Sequence, residues 1–257
     1  MVTIKVGTLN LRGWLDRWLR RRHLVVAEIL DERPDLLSLQ EIYLPLRQGY
    51  WLRHELNSRL GRREYELVQQ RKAHPWHGFF EGIGILSRLP VIATDSVNLG
   101  YGGRVALRAN LELPTGQSMD FVAVHLHHPT EARTARLEQS MQLLGWLDQT
   151  VTAPLHIVAG DLNERPTGPA LKQLKQRLNS AFELNRGMEP AGTYPTALVA
   201  DPPAEASCFD YILLSPDLAH VSATSVFCNR PDPEDETLYP SDHIGLLATL
   251  EIPAAWH

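Results

Sequence analysis

Residues 2–9 alternate apolar and polar side chains, the period of a strand with one face in a core and one in water. Leu15, Trp18, Leu19, His23, Val26, Ile29 and Leu30 then recur at helical spacing and predict a helix over 15–31. Pro34 stops it, because a proline has no amide hydrogen and crowds the preceding turn. Residues 35–40 read as a short apolar strand, 50–60 as a second helix, and strands follow near 64–70, 82–87, 91–99, 104–113 and 119–126. The second half repeats this order of types. A helix is expected over 130–149, with Thr130 as N-cap and Glu131 in its first turn. A strand at 155–160, a helix at 168–178, strands at 208–214 and 221–228 and a last strand at 244–251 complete the pattern. The pair 208–214 and 221–228 reads as a hairpin turning near Ser215-Pro216-Asp217. The Pro- and Ala-rich piece 195–206 is a loop, and the acidic 229–240 is a solvated, mobile turn. Mixed strands with interspersed helices in both halves predict an α/β fold of two mixed sheets packed face to face, helices outside. Without a repeat, a low-complexity tract or a separating linker, residues 1–257 are expected to form one domain.

Composition narrows this picture. A hydrophobic fraction of 44% over 257 residues suffices for a core without disulfides. Cys208 and Cys228 flank the expected hairpin, have no zinc-binding spacing, and read as reduced, half-buried thiols. No apolar run approaches the roughly 20 residues of a spanning helix. Met1-Val2-Thr3-Ile4-Lys5-Val6 reads as a first strand and not a signal peptide, so cytoplasmic residence is expected, as a monomer by default. The net charge of −5 argues against a broad duplex-binding face, which is usually basic. The arginines of Arg17-Trp18-Leu19-Arg20-Arg21-Arg22 are expected to spread over a solvated helix face. The loop from Lys72 to Phe80 has two readings: a substrate lip whose aromatics stack on bases or dip into lipid, or a surface loop with Trp76 and Phe79 packed inward.

Six short segments place polar residues at predicted strand ends: Thr8-Leu9-Asn10, Leu39-Gln40-Glu41, His125 with His127, Gly160-Asp161-Leu162-Asn163, Asp210 after Cys208-Phe209, and Ser241-Asp242-His243. Each alone has an ordinary explanation as a turn, a cap or a core residue. Together, on one rim, they would build a carboxylate-rich pocket. Magnesium takes hard oxygen ligands, so Glu41 is the candidate metal ligand with Asn10 and Asp242 as helpers, and Mn2+ is the expected substitute. Hydrolysis of a phosphate ester also needs a water oriented and deprotonated in line with the leaving group. Asp161 is the candidate base, and Asn163 a donor to a non-bridging oxygen. Asp210 and His243 suit a carboxylate–imidazole pair that keeps a cation aimed at the phosphate. His125 is a further candidate donor, or the acid that protonates the leaving oxygen.

With the run from Glu81 to Arg88, Arg136 and Gln139 in the helix after His125, and Thr193-Tyr194-Pro195, these segments resemble the endonuclease/exonuclease/phosphatase superfamily, the DNase-I-like fold, over nearly the whole chain. The resemblance implies a four-layered α/β sandwich with the active site at one rim. It places Asp161, Asn163, Asp210, Asp242 and His243 among the catalytic groups, and Asn10 and Glu41 at the metal site. The chain lacks an obvious basic insertion of the kind abasic-site endonucleases use. The Glu81-Gly82 segment is closer to the bacterial hydrolase and sphingomyelinase-like branches. Nucleic acid, a phospholipid head group and a small phosphodiester all remain open as substrates. The contrasting class is a non-catalytic module that binds a phosphorylated partner; such a module would be expected to have lost Glu41, Asp161 or His243, which this chain keeps.

Overall fold

A computed structural model describes residues 1–74, 76–129 and 131–254. In chain order the elements are β1 (Val2–Asn10), α1 (Trp18–Glu32), β2 (Leu36–Tyr43), α2 (Gln48–Arg59), β3 (Glu66–Arg71), β4 (Glu81–Ser87), β5 (Val91–Asn98), β6 (Val105–Glu112) and β7 (Ser118–His125). After these come α3 (Arg133–Thr150), β8 (His156–Asp161), α4 (Pro169–Leu174), β9 (Asn179–Ser180), α5 (Ala181–Arg186), β10 (Asp210–Leu214), β11 (His220–Phe227) and β12 (Gly245–Ile252). They form two six-stranded mixed sheets, ordered β11-β12-β1-β2-β4-β3 and β5-β6-β7-β8-β10-β9. Each contains one central parallel pair, β1 with β2 and β7 with β8.

The period of two along each strand explains the layers. Leu36 on β2 and Phe121 and Ala123 on β7 point into the core between the sheets, with Ile4, Val6, Ile157 and Ile212. Leu37 and Leu39 point the other way, against Val25, Val26 and Ile29 of α1 and Leu52 and Leu56 of α2. Val122, Val124 and Val158 likewise meet Leu143, Leu144 and Leu147 of α3 and Leu171 and Leu174 of α4. Both faces of β2, β7 and β8 are covered, which is why their sequences are richer in apolar residues than the alternating β1, whose Thr3 is exposed. The result is the expected order of layers, helix, sheet, sheet, helix. Among the described residues no helix is long and apolar enough to cross a membrane.

Several local expectations fail for identifiable reasons. Strands β10 and β11 are not a hairpin: β10 pairs with β8 and β9 in one sheet, while β11 pairs with β12 in the other. Cys208 and Cys228 therefore belong to different outer cores, both fully buried and unpaired. The first helix begins at Trp18, after two residues with left-handed backbone, Asp16 and Arg17. Its buried face is Trp18, Arg21, Val25, Val26 and Ile29, which leaves Leu15 and Leu19 in solvent. Arg21 is thus not on a solvated face. It is completely buried, and its guanidinium donates to the carbonyls of Leu11, Arg12, Gly13, Leu15, Asp16 and Pro240. Arg17 and Arg20 reach Asp235, so the acidic turn is tied to α1. Helix α3 starts at Arg133, with Glu131 ahead of its first turn; Thr130 lies outside the described residues. The expected helix at 168–178 stops at Leu174, and the short β9 and α5 that follow it lack a clear periodic signal. Trp76 and Phe79 are exposed, which removes the inward-packed reading of their loop.

Candidate active site

Strand parity carries the polar residues to one rim. Ile4, Val6, Thr8 and Asn10 share one face of β1, and the inward face of β8 that begins with Ile157 and Ala159 ends with Asp161. Register does the rest: His125 stands opposite Asp161 across the parallel β7–β8 pair, and Asp161 stands opposite Asp210 across β8–β10. Gly160 allows the close approach there, since a Cβ would lie 1.9 Å from the Val124 carbonyl oxygen. The two sheets are stitched together at this end. Ser38 Oγ donates to the Ala159 carbonyl at 2.8 Å, and Asn10 Nδ2 donates to Asp161 Oδ2 at 3.1 Å and Glu41 Oε1 at 3.2 Å.

Glu41 owes its direction to an irregularity. The β2–β4 register slips between Leu39 and Ile42, and Glu41 itself has φ 54°, in the left-handed region. Such a bulge re-aims a side chain, and a non-glycine residue held there costs on the order of 1 kcal/mol or more. Asp242 and His243 come from the connection before β12. Ser241 Oγ donates to the Asn10 carbonyl at 2.6 Å, Thr196 N donates to the Asp242 carbonyl at 2.8 Å, and Ile244 N to that of Thr193 at 2.7 Å. Thr193 Oγ1 also accepts from the amides of Phe209 and Asp210, so one threonine aligns both segments that carry the Asp210–His243 pair.

That pair is the shortest polar contact to His243: Nδ1 lies 2.8 Å from Asp210 Oδ2, with both side chains buried. Burial alone would lower the imidazole pKa, but the carboxylates of Asp210 and Asp161 outweigh it and raise it to about 10. The ring is an imidazolium at neutral pH, and its Nε2 faces Asp161 Oδ2 at 3.8 Å. Burial, with Asp210 nearby, pushes Asp161 up to about 7; His243 and the donors Asn163 N and Asn10 Nδ2 oppose the rise. Glu41 is raised by burial and then by the charges of Glu81 and Asp242.

His125 behaves in the opposite way. Burial, then Arg104 and Lys72, hold its pKa well below the usual imidazole value. Arg104 Nη1 sits 2.6 Å from its Nδ1, and a guanidinium can only donate, so the ring proton belongs on Nε2, 3.4 Å from Asp161 Oδ2. Glu81 in turn holds Arg104 and Lys72, at 3.4 and 2.5 Å.

These groups border a cleft of about 460 Å3. Glu41, Asp161, Asn163, Asp242 and His243 line it directly. Asn10 and Asp210 are buried and bond to residues that do, and His125 is buried with its Nε2 3.4 Å from Asp161 Oδ2. His125 is thus placed to support Asp161, not to reach a leaving oxygen as its strand-end position suggested. Asp242 Oδ2 engages Arg12 Nε at 3.3 Å, and Asn163 donates through Nδ2 to the Leu126 carbonyl. Sequence reasoning missed Arg12, Arg104 and Lys72. Their partners lie 230, 21 and 9 positions away in the chain; Arg12 follows the Asn10 segment and Lys72 opens the loop that ends at Phe80, but nothing local marks either pairing.

Among the described residues two groups of side chains have metal-ligating spacing, Glu41 with Glu81 and His125, and Asp161 with Asp210 and His243. Glu81 is engaged by Lys72 and Arg104, and Asp210 and His243 by each other. Glu41, by contrast, bonds to no cationic side chain among the described residues. Together with Asp242 and Asp161 it offers a hard, thiolate-free oxygen set. A divalent cation would relieve the mutual repulsion that raises Glu41, so the residues fit one. Asn10 presents Nδ2 to the carboxylates while its Oδ1 accepts from Arg12 N, an arrangement that orients Glu41.

The fold has counterparts in known proteins. Over 260 residues the chain is 28% identical to nocturnin of Xenopus laevis, a match covering 90% of this chain and 64% of that protein, so the chain spans less than two thirds of its relative. The human nocturnin catalytic domain, solved with a bound sulfate anion, superposes with a TM-score of 0.75 at 24% identity, covering 98% of this chain and 94% of that one. The mannosyl-6-phosphatase Bt3783 of Bacteroides thetaiotaomicron gives a TM-score of 0.76 at 18% identity, over 97% and 100%. Both likenesses establish the fold. Residues 7–243, from the first strand through the histidine paired with Asp210, match the model of one family, and the chain belongs to the Endonuclease/Exonuclease/phosphatase family.

Proposed function

We propose that this protein is a Mg2+-dependent phosphoric ester hydrolase, in which water attacks a phosphodiester or phosphomonoester held in the cleft. The observation that supports it best is the convergence of Glu41, Asp161, Asp242 and the Asp210–His243 pair on one cleft from distant parts of the chain. The family's named activities all break phosphate esters, and the structural neighbours include a sugar-phosphate phosphatase.

Glu41 would hold the cation, its carboxylate fixed by Asn10, with Asp242 on the same cleft wall as a further oxygen donor. When bound, the cation supplies Lewis-acid stabilisation of the phosphate and favours ionisation of water. Asp161 accepts the proton of the attacking water. Burial raises its pKa above the ordinary carboxylate range, which strengthens it as a base. Asn10 Nδ2 holds its Oδ2 and the Asn163 amide its Oδ1, so the base cannot swing away. His243 presents a charged N–H to the non-bridging oxygens as negative charge builds, and Asp210 keeps it protonated and oriented. The Tyr194 ring, centred 4.9 Å from the His243 ring, shields that ion from water. Asn163, in left-handed backbone at φ 49°, lines the cleft as a second donor to the phosphate.

The test is turnover of bis(p-nitrophenyl) phosphate and p-nitrophenyl phosphate with Mg2+ or Mn2+, with and without EDTA. Single-stranded DNA, abasic duplex and sphingomyelin extend the panel. His243→Ala is expected to lower kcat by about 10² or more. Stabilisation by metal with no hydrolysis of any substrate would sink the enzyme reading and favour a phospholigand-binding module.

A further inference from the structure

The cleft contains cationic side chains that the hydrolytic step does not use. Arg12 is bonded to Asp242 and Asp16, and Arg136 to Glu164. Arg133 and Arg165 also line the cleft, yet among the described residues neither guanidinium has an ion-pair or hydrogen-bond partner. Many other exposed arginines of this acidic chain do: Arg17 with Asp235, Arg33 and Arg62 with Glu64, Arg177 with Asp148. Two uncommitted cations beside a site for an anion are unfavourable company until an anion arrives.

Their backbone is fixed in advance. Arg136 and Glu164 form a buried ion pair at 3.2 Å that locks the first turn of α3 to the connection after β8. Arg136 also donates to the carbonyls of His127 and Pro129, and the Tyr211 hydroxyl to that of Glu164. Gly168 leaves the space that Glu164 occupies, since a Cβ would lie 2.0 Å from its Oε1. Arg133 lies three residues before Arg136, and Arg165 directly follows Glu164. One buried clamp therefore positions two exposed guanidinium groups on the cleft wall. The cleft, at about 460 Å3, is in the range that takes nucleotide-sized ligands (roughly 300–1,000 Å3), more than a lone phosphoryl group needs.

We propose that Arg133 and Arg165 form a second anion subsite, which takes a further phosphate of a substrate whose reacting phosphate lies at Asp161 and His243. The inference rests on the hydrolase reading and adds a substrate class: esters with two separated phosphates, either a small bisphosphate or the next phosphate of a nucleotide strand. Guanidinium groups bind phosphate oxygens through paired, charge-assisted hydrogen bonds, which gives the subsite its selectivity.

The test compares adenosine 3′,5′-bisphosphate with the two adenosine monophosphates, and 5′-phosphorylated dithymidylate with its unphosphorylated form. Each is assayed on the wild type, Arg133→Gln, Arg165→Gln and the double variant. The wild type is expected to prefer the doubly phosphorylated member of whichever pair is the true class. The double variant should raise its KM about tenfold or more, with kcat and the turnover of bis(p-nitrophenyl) phosphate unchanged. A wild type without preference, or a double variant that keeps it, overturns the subsite while leaving the hydrolase reading intact. If no phosphate ester is turned over with metal, the hydrolase reading fails. Calorimetric binding of adenosine 3′,5′-bisphosphate then decides the subsite alone: equal affinity in wild type and double variant overturns it.

Discussion

Replacing Asp210 by Asn tests the electrostatic heart of the site with almost no change in shape. The His243 ring, raised from 6.5 to about 10, is favoured as an imidazolium by on the order of 5 kcal/mol. Asp210, 2.8 Å away, is the strongest of the groups that raise it, with Asp161 and Asp242 adding to it. Because the folded-state pKa is raised, the stabilisation is fully present below pH 6.5 and lost as pH rises through about 10. Asparagine removes the charge, and its amide can donate to Nδ1, which moves the ring proton to Nε2 and leaves a neutral ring. The pKa then falls toward 6.5, with burial pulling it lower still. The alkaline limb of the rate profile is expected to move to lower pH by the same amount, and kcat at neutral pH to fall by about 10²–10³. Rates with bis(p-nitrophenyl) phosphate report the chemistry cleanly, since its leaving group needs no proton, and NMR titration of the ring reads the pKa directly. An Asp210→Asn protein with wild-type kcat and a ring that still titrates near 10 would refute the argument.

Glu41→Gln is expected to raise the Mg2+ concentration for half-maximal activity by about tenfold or more, with kcat at saturating metal less affected; metal-dependence curves check this. Proton release should accompany Mg2+ binding near neutral pH, because Asp161 is pushed up to about 7 in the free protein. Metal affinity then falls as pH drops through about 7, and calorimetry in buffers of different ionisation enthalpy counts the protons. Arg21→Ala leaves several buried carbonyls unpaired and is expected to cost about 3 kcal/mol or more, read as a lower urea midpoint. Gly160→Ala forces apart the β7–β8 pair beside Asp161 and is expected to cost about 1–3 kcal/mol while also reducing kcat.

Much of this molecule is written in short-range pattern. Period-two alternation and covered faces in β1, β2, β7 and β8 follow from side chains alone, and so does the placement of Asn10, Glu41, His125, Asp161 and Asp210 near strand ends. What the pattern does not contain is which strands pair. Cys208 and Cys228 looked like neighbours across a hairpin because the turn signal at 215–217 is local, whereas the assignment of β10 and β11 to different sheets depends on long-range packing. Arg21 looked like one more solvated arginine because five of its six carbonyl partners gather only once the turn at 11–16 folds over α1, and the sixth, Pro240, comes from the far end of the chain. The identities of the site residues come from the sequence. Their charges do not: the same imidazole is cationic at His243 and neutral at His125 because one is buried against Asp210 and the other against Arg104 and Lys72. Electrostatic energy depends on distances and burial, and those exist only in three dimensions.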